Sequence, residues 1–134
     1  MTLELHATPA EVMRAVEALQ EFGKTRQIPE HTLFGLALAL EECGSNIVNY
    51  ALRRDAGLSF HVTIEHTGSA LVIELRDCGP EFDPTKAPPR EQDPDDDDRP
   101  PGGWGIQLVR HYTDEMRYTR EDGANVLRLT KELK

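Results

Sequence analysis

At 134 residues, with 38% hydrophobic and 29% charged side chains, the chain has the length and composition of a single soluble domain with one core. A formal charge of −9 argues against direct nucleic-acid binding, because phosphates would be repelled. No apolar stretch approaches the roughly 20 residues of a membrane span, two cysteines are too few for a disulfide scaffold, and the first residues lack a basic-then-apolar signal pattern. A cytoplasmic protein is therefore expected.

"LELHA" near the start alternates and predicts a short edge strand. Thr8-Pro9-Ala10-Glu11 has the form of a capping box with proline at the first helical position. Val12, Val16, Leu19 and Phe22 then recur on one face, and Gly23 is expected to close that helix. A second helix starts at Ile28-Pro29-Glu30 and carries Leu33, Leu36 or Ala37, Leu40, Gly44 and Ile47 as its apolar stripe over roughly five turns. "LSFHVTIEH" (58–66) alternates as a half-buried strand, and "TGSA" turns it into a hairpin partner, "LVIELR" (71–76).

After Asp83 the pattern collapses into proline and aspartate, with five aspartates between Asp93 and Asp98. Residues 84–101 read as a mobile lid, because loops of that length inside small domains are lids or disordered segments. Order resumes at "GGWGIQLVRHYTDE", a glycine-rich turn opening a helix with Ile106, Val109 and Tyr112 or Thr113 inward. "MRYTR" and "VLRLTKEL" close the chain as a hairpin around Asp122-Gly123. The expected fold is α+β: a two-layer sandwich of a mainly antiparallel mixed sheet with helices on one face, forming one domain over 1–134.

Three polar features stand on this scaffold. Glu42 and Asn46 lie four apart on one face of the long helix; alone they would be a solvated face. Asp77-x-Gly79 follows directly on a buried strand; alone it would be an Asx-type turn. Gly102-Gly103-x-Gly105 opens a helix and would ordinarily be a hinge, but free N–H groups and the helix dipole also make such a turn an anion site. Cys43 and Cys78 read as ordinary small hydrophobes, and Trp104 as a packing or lid-anchoring residue.

In this order the three features resemble the N, G1 and G2 boxes of the GHKL (Bergerat-fold, histidine-kinase-like) ATPases. Within that superfamily the chain resembles the small stand-alone anti-sigma-factor serine kinases, a likeness that covers nearly its whole length and is carried especially by "GGWGIQLVRHYTDEMRYTREDGANVLRLTKEL". The resemblance implies that Asp77 accepts from the adenine amino group of ATP and that Gly79 lets the base approach the backbone. It implies Asn46 as a ligand of Mg²⁺, Glu42 as general base on a serine hydroxyl, and Gly102, Gly103 and Gly105 as phosphate binders. Asn49 occupies a cofactor-binding position where many relatives carry a basic or histidine residue. The implied substrate is a STAS-domain anti-anti-sigma protein, with a sigma factor as a second partner, no membrane, and room for a homodimer. A nucleotide- or partner-binding module without phosphoryl transfer stands as the alternative.

Overall fold

In the computed structural model, which describes residues 1–86 and 105–133, the Thr8 side chain caps the first helix, but the reciprocal bond of a capping box is not made: the Thr8 amide bonds to the His6 carbonyl at 2.8 Å. Thr8 is extended (φ −131°, ψ 152°) and its hydroxyl accepts from the Glu11 amide at 3.3 Å. Glu11 reaches back past Thr8 to the His6 amide at 3.2 Å, tying strand β1 (Thr2–His6) to helix α1 (Pro9–Thr25). Gly23 does not end α1. It is buried, and a Cβ there would lie 2.2 Å from Leu33 Cδ2, so it is a close-packing residue between α1 and helix α2 (Glu30–Asn46). The turn falls instead at Gln27, which takes the left-handed conformation (φ 59°).

The predicted second helix has two parts. α2 runs to Asn46, and a π-helical turn, Ile47–Ala51, continues it with the Leu52 amide bonded to the Ile47 carbonyl at 2.8 Å. Arg53 and Arg54 follow in the left-handed region (φ 52° and 58°), an uncommon state for residues with a side chain. Such widened turns occur frequently at functional sites, and no feature of the apolar stripe announces this one.

Strands β2 (Ser59–Thr67) and β3 (Ala70–Asp77) form the first hairpin; helix α3 (Gly105–Tyr112) leads to β4 (Glu115–Glu121) and β5 (Ala124–Glu132). The sheet order is β1-β2-β3-β5-β4, and all four pairings are antiparallel, so the mainly antiparallel sheet is antiparallel throughout. Asp122 and Gly123 both take positive φ (51° and 77°), as the primed turn of a tight hairpin demands.

One face of the sheet presents Phe60, Val62, Ile64, Leu71, Ile73, Leu75 and Leu129, all buried beneath Leu19 of α1 and Leu36, Leu40 and Val48 of the α2 arm. Glu74, Arg76, Arg117 and Arg128 point from the other face. The helices thus cover one face only, as a two-layer α+β domain requires. Among the described residues, no helix is long and apolar enough to cross a membrane.

Residues 87–104, which include most of the expected lid, its aspartate run, Gly102, Gly103 and Trp104, lie outside the described residues. The first three residues assigned to the lid do not hang free. Pro84–Lys86 form a 3₁₀ turn, capped by Asp83 accepting from the Thr85 amide at 2.9 Å and held to α3 by Arg110 Nη2 donating to the Thr85 carbonyl at 2.6 Å.

Candidate functional site

The register of the sheet determines what lies at the end of β3. Asp77 pairs with Phe60 on one side and Asn125 on the other. Having the same inward parity as Ile73 and Leu75, its carboxylate enters the core layer rather than solvent and is 4% exposed. Oδ1 accepts from the Gly79 amide at 2.9 Å and from Asn125 Nδ2 at 3.0 Å. Among the described residues Oδ2 has no hydrogen-bond partner. A buried carboxylate oxygen left in that state is costly unless something supplies a donor.

Asn46, at the junction of α2 and the π turn, is in the same condition. It is 6% exposed, and its side-chain amide makes no hydrogen bond to any described residue. Both side chains line one cavity of about 20 Å³, whose other described walls include the apolar Ile47, Leu75, Phe82, Pro84 and Leu127. That volume holds about one water, so a purine requires the walls to move apart. Phe82 stacks on Tyr50 (ring centroids 6.1 Å apart, planes at 24°), so the π turn and the loop after β3 meet at this wall.

Glu42 lies one turn before Asn46 and is half-buried. Partial burial, with Glu41 beside it, raises its pKa above the usual glutamate value. It forms no ion pair or hydrogen bond among the described residues. Glu42 is not among the cavity's described walls. Cys43, between Glu42 and Gly44, is buried, and burial pushes its thiol up to about 12, which makes it chemically inert. Cys78 is exposed and so is not the buried hydrophobe expected from sequence.

Gly79 has a requirement that precedes any ligand. A Cβ there would lie 2.7 Å from the Ala51 carbonyl and 3.0 Å from Asp77 Oδ1, so the loop closes against the π turn only without a side chain. Asn49 is not among the cavity's described walls: its Oδ1 accepts from Arg54 Nε at 2.8 Å, so the guanidinium stands beside this position. Gly105 opens α3, whereas Gly102 and Gly103 belong to the segment outside the described residues. Among the described residues no group of three or more His, Cys, Asp or Glu could hold a metal by itself. A cation here would be held by the Asn46 oxygen together with the oxygens of a bound ligand.

Sequence reasoning missed Asn125. It is 4% exposed at the start of β5, accepts from Phe82 N–H (3.1 Å), Tyr118 O–H (2.6 Å) and Arg120 Nη1 (3.1 Å), and donates to Asp77 and to the Pro80 carbonyl (2.8 Å). The one available signal was an asparagine directly ahead of an apolar strand, which is indistinguishable from a turn residue.

Comparison with known proteins agrees with this fold. The model of the histidine kinase-like ATPase domain matches residues 5–131. The serine/threonine-protein kinase BtrW of Bordetella bronchiseptica is 33% identical over 131 residues, covering 96% of this chain and 91% of that protein. A crystal structure of the RsbU and RsbW domains of a Mycobacterium tuberculosis protein aligns over 99% of this chain with a TM-score of 0.64 at 18% identity. The chain spans 32% of that larger protein, and the likeness is one of fold.

Proposed function

Because the chain belongs to the histidine kinase-like ATPase family, we propose that it is an ATP-dependent serine/threonine-protein kinase acting on a STAS-type anti-anti-sigma protein. The observation that supports this best is the convergence of two buried polar groups without a partner among the described residues, Asp77 Oδ2 and the Asn46 amide, on one mostly apolar cavity. An adenine ring suits that combination, with its faces against Ile47, Leu75, Phe82 and Leu127 and its amino group donating to Asp77. Asn46 offers the oxygen that Mg²⁺ favours, and Gly105, with the glycines before it, offers backbone N–H groups to phosphate at the start of α3.

ATP, when bound, supplies the phosphoryl group. The chain's own work is to orient it and to accept a proton. Glu42, made more basic by burial and by Glu41, accepts the proton of the substrate serine as its oxygen attacks. Arg54, held beside Asn49, supplies a cation near the position where relatives carry a basic residue. A sigma factor as a second protein partner, and assembly as a homodimer, belong to the same reading.

Calorimetry with Mg-ATP and Mg-GTP, followed by phosphoryl transfer to a STAS protein encoded beside this chain, tests the proposal. ATP-selective binding with transfer to a single serine is expected. Selective binding without transfer to that partner would leave a binding module, and equal affinity for ATP and GTP would remove the adenine role of Asp77.

A further inference from the structure

Asn125 has no task in the reading above, although it is the most heavily bonded polar side chain beneath the cavity. Its five hydrogen bonds reach β3, the loop at Pro80–Phe82 and β4. The partners dictate the amide's orientation. Asp77 Oδ1 and the Pro80 carbonyl can only accept, so both face Nδ2; the Phe82 amide and Arg120 can only donate, so both face Oδ1.

This bears on base recognition through the carboxylate's plane. The terminal torsion of an aspartate is broad and nearly two-fold, so a single donor would leave Asp77 free to rock. Two donors on Oδ1, from Gly79 and Asn125, fix that plane and commit Oδ2 to the cavity. The same asparagine grips both ends of Pro80–Phe82, the segment that carries Phe82 onto the cavity wall.

We propose that Asn125 is a positioning residue that sets nucleobase selectivity: it aims Oδ2 of Asp77 at the base and holds the Phe82 wall beside it. The proposal rests on the reading that this cavity takes the adenine of ATP.

Asn125→Thr and Asn125→Val provide the test, because they share a shape and both release Pro80 and Phe82. Only the threonine hydroxyl can still donate to Asp77. Dissociation constants for Mg-ATP and Mg-GTP, with thermal melts, are measured for both variants and the native protein. Asn125→Val should reduce the preference for ATP by about tenfold or more, whereas Asn125→Thr keeps it within about threefold, at similar melting temperatures. A merely structural role predicts equal selectivity in the two variants, and that result, or a folded Asn125→Val with native preference, overturns the proposal.

Should Asn125→Val fail to fold, the side-chain amide of Asn125 in the native protein serves by NMR. Its two protons should be distinct, slowly exchanging, and shifted by Mg-ADP but not by Mg-GDP. Exchange at the rate of an exposed amide, or indifference to Mg-ADP, overturns the proposal. A native protein that binds neither ATP nor GTP removes the nucleotide reading and this role together. A native protein that selects ATP, with Asn125→Val unchanged, removes only the role of Asn125.

Discussion

Replacing Asp77 by asparagine exchanges one oxygen for an NH₂ group at nearly constant volume, and the surrounding donors decide which oxygen is exchanged. The Gly79 amide and Asn125 Nδ2 both point at Oδ1, at 2.9 and 3.0 Å. The new amide must keep its oxygen there and turn its NH₂ into the cavity, where Oδ2 stood. An adenine amino group then faces a donor instead of a carboxylate. Losing a hydrogen bond to a charged acceptor costs about 1.5–3 kcal/mol, so ATP affinity should fall about 10- to 150-fold. GTP, whose base presents a carbonyl at that edge, should hold its affinity or gain. The fold keeps both donors on Oδ1 and should lose only about 1 kcal/mol of stability. Calorimetry with both nucleotides and a thermal melt measure the two effects separately. A folded Asp77→Asn protein with native ATP affinity and native preference would refute the assignment.

The remaining expectations follow from neighbouring groups. Glu42→Gln should leave ATP binding within a few-fold and lower transfer to the STAS serine by ~10²–10⁴. In the native enzyme the acidic limb of the pH–rate profile should lie above the ordinary glutamate value of 4.5, because burial and Glu41 raise the pKa, and the limb should vanish in Glu42→Gln. The folded protein binds this proton more tightly than the unfolded chain does. Its stabilising contribution is therefore present below 4.5 and lost as pH rises through the folded value, so Glu42→Gln should slightly raise the melting temperature at neutral pH. Asn46→Ala should weaken nucleotide binding in the presence of magnesium far more than in its absence, which titrations with and without the metal would show. Gly79→Ala places a methyl 2.7 Å from the Ala51 carbonyl and should cost about 1–3 kcal/mol in denaturant melts. A thiol-exchange reagent should modify Cys78 quickly in the native protein and Cys43 only on unfolding, since Cys43 is buried with its thiol pushed up to about 12.

Local signals were sufficient wherever a feature is made by residues near one another in the chain. The Thr8 cap, the alternation of "LSFHVTIEH", the primed turn at Asp122-Gly123 and the apolar stripe of α2 each express a period or a backbone preference. Asp77 stood out as a carboxylate directly after an apolar run with a glycine two residues on, whereas its place as the last, inward-facing residue of β3 came from the structure. Glu42 and Asn46 came from helical spacing, although spacing alone could not say that Asn46 is buried without a described partner while Glu42 is only half-buried.

Tertiary structure decided what depends on a neighbour distant in sequence. Gly23 carries the composition of a helix stop, yet Leu33 packs where its side chain would be, so packing between helices overrode the capping preference. Gly79 suggested room for a ligand and proved to be needed by the Ala51 carbonyl. The π turn after Asn46 leaves the apolar pattern intact and changes only which carbonyl the Leu52 amide meets, a choice of one residue in hydrogen-bond register. Asn125 lies 48 positions from Asp77, and its significance arises only when β3 and β5 pair so that the two face each other. The sequence by itself determined the elements and the acceptor at the strand end, because those follow from local backbone preferences and polarity. The aim of that acceptor came from strand register and close packing, which exist only in the folded chain.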